Sequence, residues 1–139
     1  MTDISNTDDT IDSRDIEPRI EELKEELLEL YNTAHPDTPI EDIETEEVEE
    51  WLQKHQLYYD WFALKDFWEE IEDYIEEGET LISDDYFTEY TEDLCKDVGY
   101  ISKDFPRWIE IDWEATAENV KQDYSSADYD GTTFYYRAS

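Results

Sequence analysis

Forty-two Asp and Glu residues stand against ten Lys and Arg in a chain of 139, a formal net charge of −32 at neutral pH. That excess constrains the fold more than any other feature. A compact state must keep its carboxylates at the surface and bear their mutual repulsion. The same charge opposes direct binding to nucleic acid or to an anionic membrane surface, so the expected partners are basic.

High acidity with a mean hydropathy of −0.91 is a common mark of disorder. Here it comes with five Trp, eleven Tyr and five Phe, and with only three Gly and four Pro to break the chain. Each buried aromatic brings a large apolar area. These residues predict a folded domain with a modest core under a strongly negative skin. There is no run of eighteen apolar residues, and the start Met1-Thr2-Asp3 is unlike a signal peptide. Cys95, the single cysteine, has no partner for an internal disulfide and suits a reducing compartment. A cytoplasmic location is expected.

Residues 1–14 are polar and read as a flexible tail. An N-terminal helix is expected over 15–36. Ile16, Ile20, Leu23, Leu27, Leu30 and Ala34 step by 4, 3, 4, 3, 4, with Pro18 in the first turn and His35-Pro36 at the end. Residues 38–82 read as an acidic helical region. Helix starts at Thr38 and Thr45 compete, and Ile43, Val48, Trp51, Leu52 and His55 form an apolar face. Leu57, Trp61, Leu64, Trp68, Ile71 and Ile75 repeat the 4, 3, 4, 3, 4 step and predict a helix over 57–77 closed by Gly78. Whether it breaks near 55–59 or continues from the preceding helix is left open by the pattern. Residues 83–139 read as a mixed region. Ser83 caps a helix over about 84–98 ended by Gly99, Asp112 caps another to about Gln122, and Asp130-Gly131 before Thr132–Tyr136 signals a hairpin that must lie on helices. The expected fold class is α+β, predominantly α-helical: a helical bundle with a small C-terminal β-hairpin.

Little in the sequence points to catalysis. So many carboxylates cannot mark one acid–base pair. Asp128-Tyr129-Asp130-Gly131 is similar to the middle of an EF-hand loop, but with Gly131 at position 6 the twelfth position is Arg137 instead of a bidentate acid. His35 and His55 lack zinc spacing and read as cap or core-edge residues. Cys95 reads as a buried thiol, and three glycines cannot form a phosphate loop and also end two helices. The expectation is a non-enzyme without metal or cofactor.

Charge in a periodic arrangement remains. Asp66, Glu69, Glu70, Asp73, Glu76 and Glu77 recur at each turn of the 57–77 helix, about 5.4 Å apart. Asp84, Asp85, Glu92 and Asp93 extend the set onto the next helix. Duplex DNA carries one charge per roughly 1.7 Å of axis, so 32 charges correspond to about 16 base pairs. Unpaired acids destabilise a fold, and mimicry of DNA accounts for their retention. Adaptation to high salt would also explain the acids but not the aromatic load.

From about residue 86 to 137 the sequence resembles the C-terminal part of ArdA-type antirestriction proteins, which phages, plasmids and transposons carry. The resemblance lies in Tyr90-Thr91-Glu92-Asp93-Leu94-Cys95-Lys96-Asp97-Val98-Gly99-Tyr100, then Pro106-Arg107-Trp108-Ile109-Glu110, Ile111-Asp112-Trp113-Glu114-Ala115 and Asp123-Tyr124, with Asp130-Gly131, Phe134 and Arg137 closing the chain. The family's opening strand segment has no counterpart in the first half. The resemblance implies an inhibitor that occupies the DNA groove of a type I restriction–modification enzyme, and a homodimer formed through Leu94, Val98 and Tyr100. The expected function is therefore that of an acidic DNA mimic directed at a host defence enzyme. The alternative is an acidic adaptor binding through its apolar seam of Ile20, Leu23 and Leu27 and its aromatic surface, or an inhibitor of another nucleic-acid-binding protein such as RNA polymerase or a CRISPR effector.

Overall fold

The structure is a computed structural model that describes residues 4–138. The chain runs β1 (Thr10–Asp12), α1 (Ser13–Ala34), α2 (Glu46–Leu52), α3 (Gln56–Ile71), β2 (Thr80–Ser83), α4 (Asp84–Asp97), α5 (Trp113–Lys121), β3 (Ser125–Tyr129) and β4 (Thr132–Tyr136). The fold class is α+β and helix-dominated, as the sequence pattern indicates.

The strands form one antiparallel sheet in the order β1-β2-β4-β3. The pleat sends alternate side chains to opposite faces. Leu81, Phe134 and Tyr136 enter the larger core with Ile16, Ile20, Leu23 and Leu27 of α1 and Trp61, Leu64, Phe67 and Ile71 of α3. Ile82 and Tyr135 join the smaller core on the other face, with Phe87 of α4 and Ala117 and Val120 of α5. The sheet thus lies between two helical layers. The hairpin lies on helices as expected, but its β4 strand also pairs with β2 inside a larger sheet. Its turn is tight, with Asp130 at φ 48° and Gly131 at φ 91°, the left-handed region that favours glycine.

Three expectations are corrected. Residues 4–14 are not a loose tail, while residues 1–3 lie outside the described residues. Ile11 is buried opposite Leu81 in the β1–β2 pair, and Ser83 N–H donates to Asp9 O at 2.9 Å. One apolar residue among polar neighbours carries no periodic signal; its strand exists because β2 supplies a partner. The N-terminal helix begins at Ser13, capped by Asp12, whose carboxylate accepts from Arg14 N–H at 2.9 Å. Pro18 therefore lies in the second turn, where it leaves the Arg14 carbonyl without its helical donor.

The third correction concerns the helix expected over 57–77, which ends at Ile71. Beyond it Ile75 bridges to Ala138, Gly78 N–H donates to the buried Ser13 Oγ at 3.1 Å, and Ser13 N–H donates to Glu79 O at 3.0 Å. These long-range bonds draw the chain off the helical path and into β2, and Gly78 (φ 84°) makes that turn instead of closing a helix. At its other end α3 is separate from α2. Gln53–His55 divide them, with His55 at the N-cap position of α3. Of the two competing starts Thr45 prevails, because Asn32 holds Ile40 in the connection: Ile40 N–H donates to Asn32 Oδ1 at 2.8 Å and Asn32 Nδ2 donates back to Ile40 O at 3.1 Å.

Candidate functional site

Every described Asp and Glu has solvent access; the buried polar residues are Ser13, Ser83 and Thr91. Seven of these carboxylates line the crossing of α1 and α3. There Glu17, Glu21, Glu44, Glu69 and Glu72 line a groove of about 210 Å³ with Lys24 and Lys65, over Trp61 and Trp68. Glu17, Trp68 and Glu72 are shared with a second hollow of about 460 Å³ that adds Glu76, Glu77 and Arg14. The two form one continuous acidic trough. Three cations, Lys24, Lys65 and Arg14, stand among its seven acids; Lys65 Nζ reaches Glu69 at 3.3 Å and stands 5.2 Å from the Trp61 ring centroid.

The trough depends on the packing of α1 against α3. Their apolar seams pack together, which leaves the acids beside each seam at the margins of the crossing. Among the sequence-predicted acids, Glu69, Glu76 and Glu77 meet here. Asp66 and Glu70 also lie on α3 and are exposed, while Asp73, Glu76 and Glu77 belong to the loop after it, so the expected one-per-turn repeat stops at Ile71.

Asp84, Asp85, Glu92 and Asp93 do not join this surface. They lie on α4, in the layer on the other face of the sheet. Asp84 is tied to Lys121, whose Nζ stands 2.7 Å from Asp84 and 2.9 Å from Glu118, above the rings of Phe87 and Tyr135. Burial pulls the Lys121 pKa down, but the hydrogen bonds from Asp84 and Glu118 outweigh it and hold the ammonium above its ordinary value. Glu92 meets Lys96 at 3.5 Å. Nearby, burial first and then the Tyr124 hydroxyl push the Tyr90 phenol up to about 12.

Sequence reasoning passed over a second row of acids. Glu17, Glu21, Glu25 and Glu29 repeat every four residues along α1, and all four are exposed. The signal was present as the complement of the α1 apolar seam. It also passed over Glu44, which only the tertiary fold brings to the trough, and left Glu72 out of the candidate set although it stands among the acids of the same stretch.

The self-association residues divide. Leu94 is half-buried, Val98 is exposed, and Tyr100 is 80% exposed; Trp108 in the following connection is 83% exposed. Ile20, Leu23 and Leu27, the apolar seam of the adaptor alternative, are buried in the chain's own core and unavailable to a partner, whereas Tyr59, Phe62 and Tyr74 remain exposed. Cys95 is half-buried. His35 and His55, distant in sequence, flank Trp51 at ring-centroid distances of 5.0 and 4.6 Å. Among the described residues no cluster of three or more His, Cys, Asp or Glu is arranged to hold a metal ion, and no helix is long and apolar enough to cross a membrane.

Fold and surface together define a helix-dominated α+β protein with an acidic trough on one helical layer. No family model matches the chain, and neither a curated protein nor a solved structure matches it.

Proposed function

We propose that the protein is a DNA mimic: a non-catalytic inhibitor that lays its acidic α1–α3 layer into the basic groove of a DNA-binding protein. The observation that carries this reading is a carboxylate population that ten cations cannot neutralise, all of it solvent-accessible among the described residues, with seven of its members lining one helical crossing. Like charges at i,i+4 each cost a helix about 0.2–0.5 kcal/mol, so the α1 row is retained against stability. A target built to hold phosphates offers Lys and Arg at a comparable density, and the complex forms under electrostatic steering.

The resemblance of residues 86–137 to ArdA-type proteins makes a type I restriction–modification enzyme the first target to test. It also makes exposed Val98 and Tyr100, with Leu94 beside them, the surface of a homodimer in the host cytoplasm. On this reading the protein needs no cofactor and binds neither nucleic acid nor membrane. The acids of α4 then face away from the trough and serve a second contact or none.

The test is a pull-down from a bacterial lysate at low salt, challenged with duplex DNA. Release of a DNA-binding enzyme by duplex DNA, and a complex that weakens steeply with salt, are the expected results. A specific partner that is indifferent to both DNA and salt would overturn the reading.

A further inference from the structure

Away from the acidic trough, the C-terminal end of α1 meets α2 and the first turn of α3 around an open groove of about 580 Å³. Its lining is unusual for so acidic a molecule. Leu30, Ala34, Trp51 and Leu57 supply apolar surface, and the carboxylates of Glu26 and Glu29 stand at its margin. The hollow is open to solvent along its length, a groove along which a segment of several side chains can lie.

Trp51 is held in place before any partner arrives. Its ring meets Tyr31 edge-on at 5.3 Å and His35 edge-on at 5.0 Å, with His55 tilted against it at 4.6 Å. Tyr31 and His35 are themselves stacked at 4.1 Å, and both His35 Nδ1 and His35 N–H lie within 3.0 Å of Tyr31 O. A half-buried indole locked by three rings loses little freedom on binding, which is the property of an anchor at an interface.

The electrostatics fix the sign of the occupant. The groove lies at the carbonyl end of α1, where the helix dipole is negative, and the last turn of α1 carries no basic residue. Glu26 and Glu29 add to that field. The homodimer surface proposed above lies at the end of α4, in the other helical layer, so a second copy held there leaves this groove to a different partner. We infer that this groove docks a basic amphipathic helical segment of a protein partner, with apolar side chains against Trp51, Leu30 and Leu57 and Lys or Arg against Glu26 and Glu29. The inference rests on the proposed function only in taking the partner to be basic, and it adds a contact that charge alone does not supply.

Two short synthetic peptides of identical composition test it. One carries leucines at i, i+3, i+4 and i+7 among lysines, and the other is a scramble without a helical face. The full chain should bind the ordered peptide about tenfold more tightly than the scramble, which is about 1.4 kcal/mol. That ratio should survive in high salt while both affinities fall, and the Trp51 indole resonance should move on binding. Ala34→Trp fills the groove from an exposed position and should bring the ratio to one, as should Thr33→Trp, a second exposed lining position. Equal affinity of the two peptides for the unmodified chain, or an unchanged ratio in both variants with intact thermal melts, would overturn the inference. Displacement of a target by duplex DNA is read independently, so either proposal can fail alone.

Discussion

Replacing Glu25 by glutamine should stabilise this protein, and replacing it by lysine should stabilise it about twice as much. Glu25 is exposed on α1, with Glu21 and Glu29 four residues to either side and Glu22 three before it. Each like-charge pair costs about 0.2–0.5 kcal/mol, so removing three gains about 0.6–1.5 kcal/mol. Glu22 is already partly neutralised by Arg19 at 3.0 Å, which places the expected gain for Glu25→Gln near 1 kcal/mol. Glu25→Lys turns the same pairs attractive and should gain about 2 kcal/mol. Urea or thermal unfolding measures both, and about 1 kcal/mol corresponds to a midpoint shift of roughly 4 °C in a chain of this size. Screening provides the control, because the Debye length falls from about 10 Å at 0.1 M salt to about 3 Å at 1 M, where most of the gain should vanish. A Glu25→Lys protein no more stable than the parent at low salt, or a gain that 1 M salt leaves intact, would refute the view that the α1 acids are kept against stability.

Three other perturbations probe the fold and its titration. Leu27 is fully buried between α1 and the rest of the larger core, so Leu27→Ala should cost about 2–5 kcal/mol in denaturant unfolding. A cost below 1 kcal/mol would mean that α1 does not pack as described. Asp112→Ala removes the cap that accepts from Ala115 N–H at 3.0 Å; it should cost about 1 kcal/mol and expose the amides of the first turn of α5 to faster hydrogen exchange. Burial first, then Asp130 and Asp60, push the Tyr129 phenol from 10.0 up to about 12. The folded state therefore holds that proton more tightly than the unfolded chain. Its contribution is intact below pH 10 and is lost as pH rises toward 12, by roughly 2 kcal/mol. Tyr129→Phe should flatten the alkaline decline in stability, and parallel declines in the two proteins would exclude this assignment.

Much of the helical architecture was legible in the chain because helices are local. The 4, 3, 4, 3, 4 steps of Ile16–Ala34 and Leu57–Ile75 give apolar stripes whatever else the molecule does, and Ser83, Asp112 and Gly99 act on the residues beside them. Asp130-Gly131 sets its hairpin for the same reason, since the turn needs only its own backbone angles. The surface character was equally inescapable, because 42 acids and ten cations leave no compact state in which the carboxylates are paired.

The tertiary structure decided what depends on distant segments. β1 and β2 are three and four residues long and exist because each completes the other's hydrogen bonds and closes the sheet against β4. The same closure ends α3 at Ile71, where bonds to Ser13 and Ala138 outweigh a periodicity that would carry the helix on to Ile75. It also separates the acids of α3 from those of α4 across the sheet and gathers Glu17, Glu44, Glu69 and Glu72 from three stretches of chain into one trough. Composition dictates how much charge the surface must carry. Where that charge faces is settled by which helices the sheet holds on each of its sides.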